Sequence, residues 1–254
     1  MADITGKRII ITGAARGIGR ATAVELAKLG ACVGLSDLDE SDLLDAVAEC
    51  ESVSDPFKQQ HMAYTLDVSS FDGCDRFATA FVDKYKSIDH VFNCAGINPT
   101  KTGIESTTKE YWQKLIDVNL SGTFAMTRAC VPHMKEGSSI VNMASTCGIY
   151  PTAELSAYCA TKHAVVGFSK CLALELGPKG IRVNIVAPGT INTPSNVSVR
   201  AGAAEMESMS STIALRRFGT ASEVAKVVVF LFSSDSQYMN GSVVEINGGI
   251  GVAG

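Results

Sequence analysis

Basic residues are sparse and scattered: 22 lysines and arginines among 254 residues, against 26 acidic residues and a net charge of -4. A nucleic-acid surface needs a dense cationic patch to displace counterions, so this composition argues against one while leaving room for a small anionic ligand. Long apolar runs are missing too. The longest aliphatic stretch, VVVFLF at 227–232, falls far short of the ~20 residues that cross a bilayer. The opening MADITGKRIIITGAA has one short apolar run that stops at Gly13, which predicts neither a secretion signal nor an anchor, and hence a cytoplasmic protein. The eight cysteines stand singly, with no CxxC pair and no histidine at ligand spacing. Reduced, mostly buried thiols are expected, and no metal. The single tryptophan, Trp112, is expected in the core. No repeat, low-complexity tract or linker interrupts the chain.

What the chain does have is apolar residues, 46% of the total, enough for a sizeable core. Short β-branched runs alternate with longer amphipathic segments. KRIIITG precedes 17–29, ACVGLS precedes 40–50, MAYTLDV precedes 71–85, and HVFNCAG precedes 109–131. SSIVNMAS then leads into 156–176, followed by IRVNIVAPG and finally GSVVEINGG. Such alternation predicts parallel strands joined by crossover helices. The expected fold is α/β, a doubly wound Rossmann-type parallel sheet of about seven strands with helices on both faces, forming one domain over 1–254. Capping boxes are expected at Thr107 to Glu110 and Thr220 to Glu223. The segment 194–217 is polar, rich in small residues and contains Met206 and Met209; it suits a substrate lid or a plain surface helix pair.

TGAARGIG at 12–19 follows the first strand and opens the first helix. Gly13, Gly17 and Gly19 permit backbone angles closed to other residues and a close approach to a pyrophosphate, at the positive end of a helix. The spacing GxxxGxG departs from the commoner GxGxxG, and a glycine-rich turn without ligand stays open. Asp37 ends the second strand, 18 residues past Gly19, near the ~20-residue offset at which a carboxylate grips the adenosine ribose. A carboxylate there repels a 2'-phosphate, which predicts NAD over NADP; Arg16 in the loop is the competing signal. In YCATK, Tyr158 and Lys162 share a helix face one turn apart. A nearby ammonium favours phenolate and lowers the phenol's pKa, although the same pair is common on ordinary helices.

With TGAARGIG, NCAG, NMAS, YCATK and PGTINTP in order, the sequence resembles the compact branch of the short-chain dehydrogenase/reductase family across essentially its whole length. That resemblance implies a catalytic tetrad of Asn119, Ser145, Tyr158 and Lys162. Tyr158 would be the general acid/base, Lys162 would lower its pKa and bind the nicotinamide ribose, and Ser145 would hold the substrate oxygen. Asn119 would help hold a water through its backbone. Ile18 belongs to the glycine motif; Asp67 and Val68 resemble the pair beside the adenine, and Asn93, Ala95 and Gly96 the motif lining the cofactor. Cys94 replaces a frequent second asparagine and is expected to face away. Pro188, Gly189, Ile191 and Thr193 resemble the loop that seats the nicotinamide carboxamide. For Asn93 and Asp67, strand-end capping and turn formation remain alternatives.

The implied function is NAD-dependent interconversion of a secondary alcohol and a ketone. A nucleotide-sensing protein without catalysis has no need of all four tetrad residues. Epimerase, dehydratase or cyclase chemistry on the same fold usually has a larger C-terminal region than the about 65 residues that follow Pro188. Asn98, Pro99, Thr146, Cys147, Tyr150, Leu155, Met206 and Met209 are expected to line the substrate pocket, with Arg216 or Arg217 able to reach in. The family further implies a homotetramer or homodimer, in which GSVVEINGG packs against its twofold mate.

Overall fold

The computed structural model describes residues 3–54, 57–194, 196 and 203–250. Seven parallel strands form one sheet in the order β3-β2-β1-β4-β5-β6-β9. They are β1 (Arg8–Thr12), β2 (Cys32–Asp37), β3 (Met62–Thr65), β4 (Ile88–Asn93), β5 (Met134–Met143), β6 (Arg182–Pro188) and β9 (Val243–Ile246). Two short strands, β7 (Ile191–Asn192) and β8 (Gly219–Thr220), pair separately. Central strands such as β1 are buried almost end to end, the condition that a sheet covered on both faces imposes and that the unbroken RIIIT run anticipates.

Helices α1 (Gly17–Lys28) and α2 (Glu40–Val53) pack on one face with α8 (Ala221–Phe232), around Ile9, Ile11, Val33, Leu35 and Phe92. The opposite face takes α3 (Phe71–Tyr85), α5 (Gly122–Cys130) and α6 (Ser156–Leu176), around Ile10, Val91, Ile140 and Val183. Alternate residues of β1 thus feed opposite cores, as strand geometry requires. The chain winds one way from β1 to β3 and the other way from β4 onward. The loops after β1 and β4 therefore diverge, leaving a crevice at the carboxyl ends of the strands.

Three local expectations change. The segment 109–131 is not one regular helix: α4 (Lys109–Leu115) passes into a π-helical turn, Ile116–Ser121, before α5. The cap of α4 is Thr108, whose hydroxyl accepts from Tyr111 N at 3.1 Å. Thr107 instead donates to the Gly103 carbonyl, drawn back by the 3-10 turn Ile104–Ser106. Trp112 is 42% exposed rather than core, because α4 turns that side outward. The second capping box is present, with Thr220 N donating to Glu223 Oε2 at 2.8 Å and Glu223 N to Thr220 Oγ1 at 3.2 Å.

All eight cysteines are free; Cys50, Cys74, Cys130 and Cys159 are buried, and Cys171 is exposed. No described helix is long and apolar enough to cross a membrane, and the described residues hold no cluster that could ligate a metal. Within 194–217, residues 195 and 197–202 lie outside the described residues; α7 spans Ala203–Ser210.

Candidate active site

The crevice at the topological switch is a cleft of about 630 Å³, within the range of ligand sites. Its walls bring together Gly13, Arg16, Gly17, Ile18, Gly19, Asp37, Asp67, Val68, Ala95, Gly96, Ser145, Tyr158, Lys162, Pro188, Gly189, Ile191 and Thr193. Residues spread over 180 positions of sequence thus face one space.

One half of the cleft is made by backbone. Gly13 has φ 67°, and a Cβ on it would lie 2.7 Å from Ala95 Cα. A Cβ on Gly19 would lie 2.1 Å from the Gly13 carbonyl oxygen. The loop closes this tightly only because both side chains are absent. Thr12 Oγ1 accepts from Cys94 N and Ala95 N, each at 3.1 Å, and so ties the ends of β1 and β4 together. Helix α1 then begins with no side-chain cap and no acidic residue in its first turn. By contrast α2, α3, α4 and α8 are capped by Asp39, Ser70, Thr108 and Thr220. Donors left uncapped at the mouth of a glycine loop fit an anionic diphosphate.

Asp37 sits at the end of β2, its Oδ2 accepting from Ala15 N at 3.0 Å and its Oδ1 from Leu38 N at 2.8 Å. Its carboxylate braces the glycine loop from the end of β2. Arg16 is not a free cation here: it donates to Asp39 at 2.8 Å and also to Asp42. Asp67 lines the cleft while its Oδ1 accepts from Ser69 N and Oγ at 2.9 and 2.7 Å, making the turn into α3.

One expectation is corrected in this half. Asn93 does not line the cleft. Its amide is buried beneath the sheet's end, donating to Thr127 Oγ1 at 2.9 Å and Asn142 Oδ1 at 2.8 Å. It sits on the last residue of β4, where strand alternation turns it inward. Cys94, expected to face away, packs against the core beneath α1 and also borders the cleft.

The other half is made by side chains from separate elements. Tyr158 and Lys162 lie on α6, both buried, with Lys162 Nζ 5.7 Å from the Tyr158 ring centroid. Ser145, just past β5, faces the same cleft as Tyr158, and its Oγ accepts from Cys147 N at 3.2 Å. Lys162 Nζ donates to the Met143 carbonyl at 2.9 Å. Asn119 lies in the π-helical turn, off the cleft wall and buried. Its Oδ1 accepts from Ile97 N at 2.7 Å, its Nδ2 donates to the Ile97 carbonyl at 3.3 Å, and its own carbonyl accepts from Thr123 Oγ1 at 2.9 Å. The side chain therefore pins the loop after β4, and π-turns of this kind recur at functional sites.

Burial governs the electrostatics. It lowers the Lys162 pKa from 10.5 to about 8, because a desolvated ammonium is penalised. It raises the Tyr158 phenol above its usual 10, with the Ser145 hydrogen bond opposing the rise. The expectation that Lys162 brings the phenol down is not met in the protein alone. Desolvation of the phenol is the largest cause, and the Lys162 ammonium donates to the Met143 carbonyl.

The expected substrate wall is recovered only in part. Asn98 lines the cleft, whereas Pro99, Thr146, Cys147, Tyr150, Leu155, Met206 and Met209 do not. The Tyr150 hydroxyl donates to Glu245 at 3.3 Å. Arg217 is clamped by both oxygens of Glu223, at 2.9 and 2.6 Å, and Arg216 donates to the Ser211 carbonyl, so neither guanidinium reaches in. Thr12 carried a signal in its place before the first glycine. Lys114, at the end of α4, and Val118, in the π-turn, also line the cleft and carried none.

A family model described as enoyl-(acyl carrier protein) reductase matches residues 13–251. A 3-oxoacyl-(acyl-carrier-protein) reductase of Thermotoga maritima is 40% identical over 250 residues, covering 97% of this chain and 98% of that protein. Levodione reductase of Leifsonia aquatica is 36% identical over 257 residues, covering 96% and 94%. A crystal structure of levodione reductase matches with a TM-score of 0.93 at 35% identity, over 98% of this chain and 99% of the other. A short-chain dehydrogenase of Burkholderia cenocepacia in complex with NADP matches with a TM-score of 0.90 at 30% identity, over 97% and 98%.

Proposed function

Because the chain belongs to the short-chain dehydrogenase/reductase family, we propose that it is an NAD-dependent oxidoreductase that interconverts a secondary alcohol and its ketone, with Tyr158 as general acid/base. One observation carries the reading: Ser145, Tyr158 and Lys162 face the same cleft as the glycine cradle and Asp37. A bound nicotinamide dinucleotide supplies the hydride chemistry. The chain's own residues bind, orient and move a proton. Gly13 to Gly19 and the start of α1 would hold the diphosphate, and Asp37 would accept from the ribose hydroxyls. Ala95, Gly96, Pro188, Gly189, Ile191 and Thr193 form the walls toward the nicotinamide end.

A ketone gaining hydride at carbon develops negative charge on oxygen, and Ser145 and Tyr158 are donors placed to meet it. Burial keeps the Tyr158 proton in place at neutral pH, which suits it to protonate that oxygen. Lys162, with a pKa of about 8, is mostly an ammonium at pH 7 and stabilises the phenolate left behind. Asn119 fixes the loop at Ile97 beside them.

The preference for NAD rests on charge. Asp37 repels a 2'-phosphate, and the one guanidinium of the loop is taken by Asp39 and Asp42. The Burkholderia cenocepacia structure holds NADP; Asp37 is what supports the opposite preference here. The whole of 1–254 acts as one domain, with 194–217, held between β7 and β8, as the substrate lid. Eight free thiols suit a reducing cytoplasm. Exposed Phe124 on α5 and Leu174 on α6, with β9 at the sheet edge, suit a homotetramer or homodimer.

Tyr158→Phe tests the assignment. It is expected to lower kcat by about 10²- to 10⁴-fold while the dissociation constant for NADH, read by fluorescence titration, stays within about twofold. Near-normal turnover in the variant would overturn the role of Tyr158.

A further inference from the structure

A second cavity, of about 700 Å³, lies at the amino ends of the strands, where Lys7 precedes β1, Arg182 opens β6 and Phe232 ends α8. It shares no lining residue with the cleft at the carboxyl ends. His90, in the middle of β4, brings an imidazole to its wall while staying only 1% exposed. Ser139 N donates to His90 Nδ1 at 3.2 Å. A backbone N–H can only donate, so Nδ1 holds a lone pair and the neutral ring carries its proton on Nε2. Phe232 stacks on that ring, with centroids 4.8 Å apart and planes 18° from parallel. Nε2 itself has no hydrogen-bond partner among the described residues. A buried donor left unpaired is costly, and folded proteins keep few of them without a ligand, a water or a function to account for them. No step at the cleft uses His90.

Two cations share the cavity with this donor. Arg182 gives Nη1 and Nη2 to the carbonyls of Met239 and Leu231, at 3.2 and 2.9 Å, and neither Arg182 nor Lys7 is in an ion pair among the described residues. Burial, reinforced by Lys7 and Arg182, holds the His90 pKa at about 3, so the ring is a neutral donor at pH 7. Asp3 and Glu136 are exposed carboxylates on the same wall. They equal the two cations in number, so a doubly charged phosphate meets no net positive field there. A single carboxylate is matched by one cation and one N–H. Phe232 and Ile181 offer apolar surface to the rest of such a molecule.

From this geometry we infer that the cavity is a second small-molecule site, one that takes a monocarboxylate with an apolar body. The carboxylate oxygen accepts from His90 Nε2–H, and its charge faces Lys7 and Arg182. Nε2 is all but closed to solvent, so the oxygen reaches it with a small rotation of a lining side chain. The site stands apart from the cleft and does not rest on the oxidoreductase reading.

The test titrates benzoate into the isotope-labelled full-length protein and follows the imidazole nitrogens and their protons by NMR. The chain holds four histidines, and His90→Gln identifies the signal in question; a through-space contact with the Phe232 ring gives the same assignment should that variant fold poorly. The free protein is expected to show His90 in the Nε2–H form. Benzoate should move that proton saturably, with a Kd on the order of 1 mM, while His61, His133 and His163 keep their positions. Benzamide retains an acceptor oxygen without the charge and should bind about fivefold more weakly. Lys7→Gln should weaken benzoate by about two- to fivefold and leave benzamide unchanged. A proton on Nδ1, or a His90 signal that benzoate does not move at concentrations far above that Kd, overturns the site. Benzamide binding as well as benzoate, or benzoate binding Lys7→Gln as tightly as the wild type, overturns its preference for an anion. The readout is the His90 ring and not turnover, so an inactive enzyme and an empty cavity are separate results.

Discussion

The two halves of the cleft are built on opposite principles. The diphosphate half comes from one continuous stretch, residues 12–19, plus a single carboxylate at the end of β2; its working groups are backbone N–H donors and missing side chains. The half proposed for proton transfer sets Ser145, from the end of β5, on the same cleft as Tyr158 and Lys162 of α6; the last two are buried, and desolvation moves their pKa values. The first half depends on local conformation and tolerates water. The second depends on the whole core, because a phenol and an ammonium are perturbed only where the fold excludes solvent. A cofactor cradle can therefore be read from a motif, whereas a tuned acid cannot.

Substitutions can break this contrast, starting with the largest effect. Gly19→Ala places a methyl 2.1 Å from the Gly13 carbonyl oxygen, and no rotamer can relieve backbone overlap. The expected result is a loss of about 3 kcal/mol in urea unfolding together with at least about tenfold weaker NADH binding; a fully stable variant that binds normally would show the loop to be looser than drawn. The buried half answers to pH instead. Lys162 has its folded pKa at about 8 against 10.5, so between those values the unfolded chain binds the extra proton and stability rises with pH. Below pH 8 the full penalty is present. The gain from pH 8 to 10.5 is on the order of 3 kcal/mol, read as the difference between wild type and Lys162→Met in pH-dependent unfolding, and parallel profiles would refute it.

Asp37→Asn sharpens the comparison within the diphosphate half. Removing the charge should shift the ratio of kcat/KM for NAD over NADP by about tenfold toward NADP, corresponding to about 1.4 kcal/mol. An unchanged ratio would move cofactor choice to another residue. The smallest effect belongs to Arg16. Its pairs with Asp39 and Asp42 are largely exposed, so Arg16→Ala should cost less than about 1 kcal/mol of stability. It should also leave NAD turnover within about twofold. A large gain in NADP preference from a freed guanidinium, in Asp39→Asn, would show that the ion pair is part of the selectivity.

Much of the architecture was legible because it rests on short-range rules. Seven β-branched runs with crossover segments between them give the sheet, and the Thr220 to Glu223 box gives the start of α8. Where the reading slipped, a neighbouring element had intervened. The 3-10 turn at Ile104–Ser106 moved the α4 cap from Thr107 to Thr108. Lys114, at the end of α4, and Val118, in the π-turn, came onto the cleft wall with no signal in their spacing. Asn93 turned inward, since alternation along β4 continues to its last residue. Arg216 and Arg217 were lost to the site through hydrogen bonds to Ser211 and Glu223, partners that spacing did not announce.

Residue order alone determined the parallel α/β fold, the glycine cradle, the carboxylate at the end of β2, and the helical spacing of Tyr158 and Lys162. Each follows from backbone sterics or from the period of a helix or strand, which act within a few residues. Tertiary structure alone decided that Ser145 and Tyr158 face one cleft, that Lys162 turns to the Met143 carbonyl, and that Arg16 is held by carboxylates. Those are questions of burial and of which distant groups share a space; they depend on how the sheet and helices pack, and no local rule contains that information.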